Sequence, residues 1–208
     1  MIEACLAMGP SGLSTGTSGN ISSRLGDGML ITPSGVPYRK LTPDMIVEVH
    51  QDGTFEGDMR PSSEWRMHLD IYRARPEAGA VVHTHSPHAT ALACHGELIP
   101  AFHYMVAVAG GTTIRCATYA TFGTQALSDA MMTALEGHRA CLLAHHGQIA
   151  FGPDVDSAFA LAIEVETLAR QYTLARQLGP PPLLDDREMD RVLKAFRNYG
   201  ALSKAATA

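Results

Sequence analysis

The sequence lacks the features that mark nucleic-acid-binding and membrane-spanning proteins. No cluster of basic residues occurs in its 208 positions, and the formal net charge is −5, so electrostatics gives no reason to expect a nucleic-acid partner. Apolar runs such as Tyr104–Ala109 fall far short of the roughly 20 residues that a transmembrane helix needs. The hydrophobic fraction of 46% and the chain length suit one compact domain, which we place at residues 1–208.

Paired cysteines and a dinucleotide-binding glycine pattern are also missing. The four cysteines form no CxxC motif, and residues 1–8 lack the lysine or arginine of a secretory signal. We therefore expect free thiols and a cytoplasmic protein. The glycines of Gly16–Thr17–Ser18–Gly19–Asn20 have the wrong spacing for a dinucleotide fingerprint, and the regular strand–helix alternation of a Rossmann domain is absent.

Local patterns predict strands joined by short turns, interspersed with helices. Residues 21–25 alternate as a strand does, Gly26–Asp27–Gly28 turns, and residues 29–32 return, which is a hairpin pattern. A helix is predicted to start at Pro61–Glu64, with Ser62 as its N-cap. Further strands are predicted at 46–49, 80–85 and 140–144, and further helices at 2–8, 87–94, 124–136, 155–178 and 187–199. This mixture predicts an α/β protein of the α+β type, with a central mixed, largely antiparallel sheet covered by helices on both faces.

Histidines follow two of the predicted buried strands. His83 and His85 are two residues apart at the end of the strand 80–85, so both imidazoles point to the same face. A third histidine, His145 or His146, follows the strand 140–144, and spacing does not distinguish these two. Three histidines with an open coordination position form the usual catalytic zinc site. The alternative is that these imidazoles serve packing or lie on the surface, as other histidines of this chain are expected to do.

Glu64 and three short loops are further candidates for function. In the first turn of its predicted helix, Glu64 either compensates the helix dipole or acts as a general base beside a metal. The loops are rich in hydroxyls and glycine, and backbone N–H groups in such turns can bind an anion without lysine or arginine. Each loop could equally be an ordinary turn. The loops are Thr17–Ser18–Gly19–Asn20, Ser34–Gly35 and Ser62–Ser63.

Taken together, these segments resemble the class II aldolase/adducin family. The resemblance rests on eight stretches in the family's order: GTSGNIS (16–22), MLITPSGVPY (29–38), PSSEWRMH (61–68), AVVHTHSPH (80–88), IPAFHYM (99–105), YATFGT (119–124), LLAHHG (142–147) and VLKAFRNYG (192–200). They span nearly the whole chain. One departure is Ser34, which stands where the family pattern has threonine but keeps the hydroxyl. The resemblance implies the three-layer fold of class II aldolases.

The resemblance also implies a role for individual residues. It makes His83, His85 and His146 ligands of one zinc ion per subunit, and Glu64 the catalytic acid/base beside that ion. Tyr104 is implied to reach the active site of the adjacent subunit and to donate a proton there. The phosphate pocket is implied to consist of Thr17, Asn20, Ser34, Gly35, Ser62 and Ser63, and the aldehyde side is implied to be lined by Phe122, Phe196 and Tyr199.

The implied activity is that of a zinc-dependent class II aldolase, which is an aldehyde-lyase of carbohydrate metabolism. Such an enzyme cleaves a ketose 1-phosphate, similar to L-fuculose 1-phosphate, reversibly into dihydroxyacetone phosphate and an aldehyde. Its partner is a phosphorylated sugar rather than nucleic acid or a membrane. The resemblance further implies a homotetramer with active sites at the subunit interfaces.

Alternatives within the family keep the same fold and the same zinc and phosphate sites. The substrate could be 5-deoxyribulose 1-phosphate or 5-methylthioribulose 1-phosphate in a salvage pathway. A ribulose-phosphate epimerase is disfavoured because we expect aspartate there at the position of Glu64. A dehydratase fits the segments IPAFHYM and YATFGT less well. A non-catalytic adducin-like scaffold would have lost the metal histidines, all of which this chain retains.

Overall fold

The computed structural model describes residues 1–199, with side chains described to residue 197. One seven-stranded sheet runs through the molecule in the order β3-β2-β1-β4-β7-β6-β5. Every neighbouring pair is antiparallel except β5 and β6, which are parallel. The strands are β1 (Asn20–Leu25), β2 (Gly28–Ile31), β3 (Val47–Val49), β4 (Ala80–Thr84), β5 (Cys116–Ala117), β6 (Ala140–Leu143) and β7 (Gly147–Gly152).

Six α-helices and three short 3-10 helices accompany the sheet in the described part of the chain. The α-helices are α1 (Ile2–Met8), α2 (Trp65–Ala74), α3 (Pro87–Cys94), α4 (Gln125–Ala134), α5 (Val155–Gln177) and α6 (Asp186–Tyr199). The 3-10 helices are Tyr38–Lys40, Pro43–Met45 and Tyr104–Ala109. Within residues 1–199, none of these helices is both long enough and apolar enough to cross a membrane.

Successive side chains of the sheet strands pack into two separate hydrophobic cores, one on each face. Val82 packs with the core that contains residues of α1, α3, α5 and α6, whereas its neighbour Val81 packs with the core formed by α2 and α4. This alternation follows from the pleat of a strand, in which successive side chains point to opposite faces. Helices therefore cover both faces, and the predicted mixed, largely antiparallel sheet in a three-layer fold is confirmed.

The predicted start of the second α-helix is wrong by a few residues. Helix α2 begins at Trp65 rather than at Pro61–Glu64, and Glu64 occupies the N-cap position without a capping side-chain bond. The reason lies in the preceding segment, which pairs with the loop after β2. Pro61 bridges Pro33, and the Ser62 N–H donates to the Thr32 carbonyl at 3.0 Å, so this stretch stays extended.

Candidate metal and catalytic site

A cavity of about 340 Å³ opens where β4 ends and where β6 turns into β7. Its walls come from the loops 17–20, 33–35 and 62–64, and from aromatic residues of the segment 119–122. Cross-strand pairing brings these parts together, since Asn20 at the start of β1 lies opposite His83 near the end of β4. The same edge of the sheet thus carries the histidines and the hydroxyl-rich loops.

Three imidazoles and one carboxylate converge at this edge. The rings of His83, His85 and His146 have centroids 4.8–4.9 Å apart in every pair. Together with Glu64 they each offer one ligand atom, and these four atoms all lie within 4.8 Å of one another. His145, by contrast, is exposed and packs its ring edge-on against Tyr119. The structure thus places His146, and not His145, in the cluster.

Backbone geometry explains how adjacent histidines come to point in different directions. His145 has φ 54°, in the left-handed region that few residues other than glycine adopt. The chain reverses at this residue between β6 and β7, and His146 then projects inwards beside the end of β4. A single unusual backbone angle therefore determines which imidazole enters the site.

A hydrogen bond to a backbone carbonyl shows which ring nitrogen of His83 carries a hydrogen. Its Nδ1 lies 2.8 Å from the carbonyl oxygen of Gln148, which can only accept, so Nδ1 carries the hydrogen. Nε2 of the same ring faces Nε2 of His85 at 3.0 Å. Burial opposes a charge on His83, but the neighbouring Glu64 carboxylate outweighs burial and raises the pKa of this ring. Burial, followed by the charges of His83 and His146, lowers the pKa of His85 to about 4, so this ring is neutral at pH 7. Two facing ring nitrogens suit a shared cation, and a backbone carbonyl on Nδ1 is a common outer partner of a metal-bound histidine.

Glu64 completes the cluster from the beginning of α2. Its Oε2 lies 3.2 Å from Nε2 of His83 and accepts a hydrogen bond from Nδ2 of Asn20 at 3.0 Å. Its Oε1 lies 2.9 Å from Nε2 of His146, yet it is buried without a well-formed hydrogen bond. Burial opposes ionisation of this carboxyl, but His83 and His146 outweigh that effect and hold its pKa below the usual range. An ionised carboxylate buried among three imidazoles fits a site built for a cation.

The predicted phosphate-binding residues line the same cavity as the cluster. Thr17, Ser34, Gly35, Ser62 and Ser63 all face it, and no lysine or arginine is among its described lining residues. An anion here would depend on hydroxyls and backbone N–H groups.

Asn20 also lines the cavity, but its side-chain contacts differ from those of a phosphate ligand. The carboxamide nitrogen donates to Glu64, and Oδ1 lies 2.6 Å from Nε2 of His68. Both ends of the carboxamide are therefore engaged within the protein. The predicted phosphate contact of Asn20 would have to come from its backbone, or from a rearranged side chain.

Other predicted residues lie apart from the cluster within one chain. Phe122 lines the mouth of the cavity and is strongly exposed. Tyr104 begins the 3-10 helix Tyr104–Ala109, is half exposed, and stacks on His103 with centroids 4.9 Å apart; it is not among the described lining residues. Phe196 borders a separate shallow pocket beside Ala107. The side chain of Tyr199 lies outside the described residues.

Several residues near the site were not identified from the sequence. Tyr119 lines the cavity, and His68, Ser22 and Tyr72 form a buried row of polar side chains behind Asn20. The sequence spacing of these residues indicates that they lie in one row. Residues 64, 68 and 72 recur every four positions on a helix, while 20 and 22 recur every two on a strand.

Several proteins of similar sequence and structure are named as aldolases. The family profile for the class II aldolase and adducin N-terminal domain matches residues 1–173. The chain is 53% identical to the 5-methylthioribulose-1-phosphate/5-deoxyribulose-1-phosphate aldolase of Rhodospirillum rubrum over 96% of this chain and 90% of that protein. It is 49% identical to the L-fuculose phosphate aldolase of Escherichia coli strain K12, over 96% and 94% of the two chains.

Among solved structures, an L-fuculose 1-phosphate aldolase superposes with a TM-score of 0.91 and 41% identity, covering 94% of this chain and 93% of the other. The superposition therefore includes nearly the whole chain. The fold and the activity predicted from the sequence agree with these relatives. The chain therefore belongs to the class II aldolase and adducin family, as an aldolase.

Proposed function

We propose that this aldolase cleaves a ketose 1-phosphate reversibly into dihydroxyacetone phosphate and an aldehyde. The observation that carries the proposal is the convergence of His83, His85, His146 and Glu64, whose ligand atoms lie within 4.8 Å of one another. His85, His146 and Glu64 line a cavity together with the hydroxyl-rich loops. A cation site beside an anion-binding wall suits a substrate that carries both a carbonyl group and a phosphate. We also propose a cytoplasmic setting, in which free thiols such as those of the four described cysteines are maintained.

The donor set fits a zinc ion. Three imidazole nitrogens with one position left open are typical of catalytic zinc, and the buried carboxylate of Glu64 supplies compensating negative charge. We propose His83, His85 and His146 as the ligands, with one ion per subunit. When bound, the ion would supply Lewis-acid stabilisation of the negative charge that develops on the substrate oxygens.

Glu64 is the proposed acid/base. In the cleavage direction, the C4 hydroxyl gives its proton to the deprotonated Tyr104 and the C3–C4 bond breaks, with its electron pair remaining on C3. Glu64, which has taken a proton from solvent, then donates that proton to C3, which yields dihydroxyacetone phosphate, and proton exchange with solvent restores both residues. In the condensing direction, the Glu64 carboxylate removes that proton instead. Its burial beside the cluster allows it to face the reacting carbon while water is largely excluded.

The remaining residues have proposed binding roles. Hydroxyls and N–H groups of the segments 17–20, 34–35 and 62–63 bind the phosphate. Phe122, Phe196 and Tyr199 line the aldehyde side. Tyr104 serves the aldehyde oxygen of a neighbouring subunit, in a homotetramer. This assembly is proposed because Tyr104 is half exposed and does not reach the cavity of its own chain.

Three aldehyde products are candidates, because the two relatives are named for three different ketose phosphates. The Escherichia coli relative is named for L-fuculose phosphate, and the Rhodospirillum rubrum relative is named for 5-methylthioribulose and 5-deoxyribulose 1-phosphates. All three ketoses give the same phosphorylated product, so the histidines and the phosphate wall serve each of them equally. The choice depends on the aldehyde side, where Tyr119 and Phe122 stand exposed at the mouth of the cavity.

The test is a panel of these three ketose 1-phosphates, with dihydroxyacetone phosphate as the measured product. We expect zinc-dependent cleavage by the unaltered protein, and a loss of about 10²–10⁴-fold in kcat for Glu64→Gln with zinc retained. Glu48→Gln is the matched control, because Glu48 is exposed on β3 and far from the cavity. Release of dihydroxyacetone phosphate from none of the three, or at an equal rate by Glu64→Gln, would contradict the proposal.

A further inference from the structure

A buried chain of hydrogen bonds runs from Glu64 into the protein. Nδ2 of Asn20 donates to Oε2 of Glu64 at 3.0 Å, and Oδ1 of Asn20 lies 2.6 Å from Nε2 of His68. On the other side of the ring, Nδ1 of His68 lies 2.7 Å from Oγ of Ser22, which is 2.8 Å from the hydroxyl of Tyr72. The hydrogen-bonded series therefore alternates between β1, which supplies Asn20 and Ser22, and α2 with its N-cap, which supplies Glu64, His68 and Tyr72.

The protons of this chain can be placed in only one order if Glu64 is ionised. A carboxylate only accepts, so the Asn20 carboxamide must turn its NH2 group towards Glu64 and its oxygen towards His68. That oxygen accepts from Nε2–H of His68, which leaves Nδ1 as an acceptor for the Ser22 hydroxyl. Ser22 in turn accepts from the Tyr72 hydroxyl. Every bond then points towards Glu64, an arrangement in which successive hydrogen bonds polarise one another.

Because these side chains are buried, breaking one of their hydrogen bonds costs free energy. His68 and Ser22 are fully buried, and Asn20 and Tyr72 are each 3% exposed, so water does not replace a lost partner. Burial, reinforced by the nearby His83, lowers the pKa of His68 to about 3, so the ring is neutral at pH 7. A neutral ring with one donor and one acceptor nitrogen is what the two neighbours of His68 require.

We propose that His68 is a positioning residue for the aldolase reaction: by donating to Oδ1 of Asn20, it fixes the carboxamide so that its NH2 group holds the Glu64 carboxylate against the histidine cluster. Without this donor, the carboxamide is free to rotate, and its oxygen would then face the carboxylate and repel it. The inference rests on the proposed function, in which Glu64 exchanges a proton with C3 of dihydroxyacetone phosphate.

The first experiment measures deuterium incorporation at C3 of dihydroxyacetone phosphate by zinc-loaded protein in heavy water. Replacement of His68 by leucine removes both polar nitrogens, and we expect kcat for exchange to fall about 10–100-fold, the range typical of lost outer partners of a site, with KM changed less than about twofold. His68→Gln should recover most of that rate, because the glutamine amide can again donate to Asn20. A purely structural role would lower stability in both variants without this split between kcat and KM.

The matched control is His138→Leu, which removes another buried histidine that lies outside the cavity. We expect it to lose stability but to keep the exchange rate. Folded His68→Leu with the exchange rate of the unaltered protein would overturn the inference. Loss of exchange in Glu64→Gln alongside that result would leave the proposed function intact, whereas unchanged exchange in Glu64→Gln would overturn the proposed function instead.

A second measurement needs neither catalysis nor the leucine variant. Nitrogen-15 spectra of histidine-labelled, metal-free protein report the tautomer of each ring, and the His68→Gln variant identifies the signals of His68 by their disappearance. We expect a neutral ring with hydrogen on Nε2 at pH 7. A ring with hydrogen on Nδ1 alone could not donate to Asn20 and would overturn the inference, even if His68→Leu fails to fold.

Discussion

At the scale of single residues, His145 and His146 offer a matched pair of substitutions within one turn. His146 projects into the cluster with its Nε2 2.9 Å from Glu64, whereas His145 is exposed against Tyr119. We expect His146→Ala to retain far less zinc than the roughly one ion per chain held by the unaltered protein, because a three-histidine site loses a ligand. His145→Ala should retain zinc, as measured by metal analysis after dialysis. Equal retention in the two variants would contradict the ligand assignment.

Spacing alone predicted part of this residue-scale geometry. His83 and His85 share one side of the chain because strand side chains alternate, and the structure places both in the cluster. The choice of His146 over His145 did not follow from spacing, since it depends on the left-handed angle at His145, which the residue type does not favour. The contact of Asn20 with Glu64 joins positions 44 residues apart, and no local pattern specifies such a pair.

At the scale of elements, the turn between β6 and β7 places the histidines of two strands side by side. Gly147 begins β7 immediately after His146, and a Cβ atom there would lie 2.3 Å from the carbonyl oxygen of Thr84 in β4. Only glycine therefore lets β7 approach β4 at this point. The close contact holds the ends of the two strands together, and therefore keeps His85 and His146 close enough to bind one ion.

We expect Gly147→Ala to destabilise the protein by about 1–3 kcal/mol, the usual range for overpacking, and to weaken zinc binding because β4 and β7 must separate. Thermal unfolding with and without zinc measures both effects, at about 2–4 °C per kcal/mol for a chain of this size. Gly9→Ala is the control: Gly9 has helical angles and open space around its Cβ position, so alanine there should be neutral or slightly stabilising. A Gly147→Ala protein with unaltered melting temperature and zinc affinity would show that the contact relaxes without cost.

Local signals determined which elements could be predicted. The β1–β2 hairpin was predicted correctly because its Gly26–Asp27–Gly28 turn is encoded within a few residues. The sequence predicts an extended segment at 112–116, which reaches the first residue of β5. The parallel pairing of this two-residue strand with β6 has no local signal, because no short turn joins the two strands. The start of α2 was misplaced for a related reason: the backbone pairing of residues 61–62 with 32–33 comes from a distant segment.

At the scale of the whole molecule, the cavity of one chain does not include all the groups of the proposed reaction. The proposed zinc ligands, Glu64 and the proposed phosphate-binding loops come from one chain, but Tyr104 is half exposed on a 3-10 helix and is not among the described lining residues of the cavity. A phenol that protonates the aldehyde oxygen must lie within hydrogen-bond reach of the reacting atoms. In a closed homo-oligomer, a neighbouring subunit can bring Tyr104 to this position.

We expect a Tyr104→Phe chain and a His83→Ala chain to be nearly inactive alone and to regain activity when they are mixed and reassembled. A restored site combines the zinc ligands of a Tyr104→Phe chain with the phenol of a His83→Ala neighbour, so random 1:1 assembly around a ring restores about a quarter of the sites. The measurement is dihydroxyacetone phosphate release after reassembly. In the control, His83→Ala is mixed with a chain that carries both changes; no chain then has intact zinc ligands, and activity should stay absent. If mixed oligomers form and remain inactive, Tyr104 acts within its own subunit or only packs, because each mixed ring would contain the shared sites that the proposal requires.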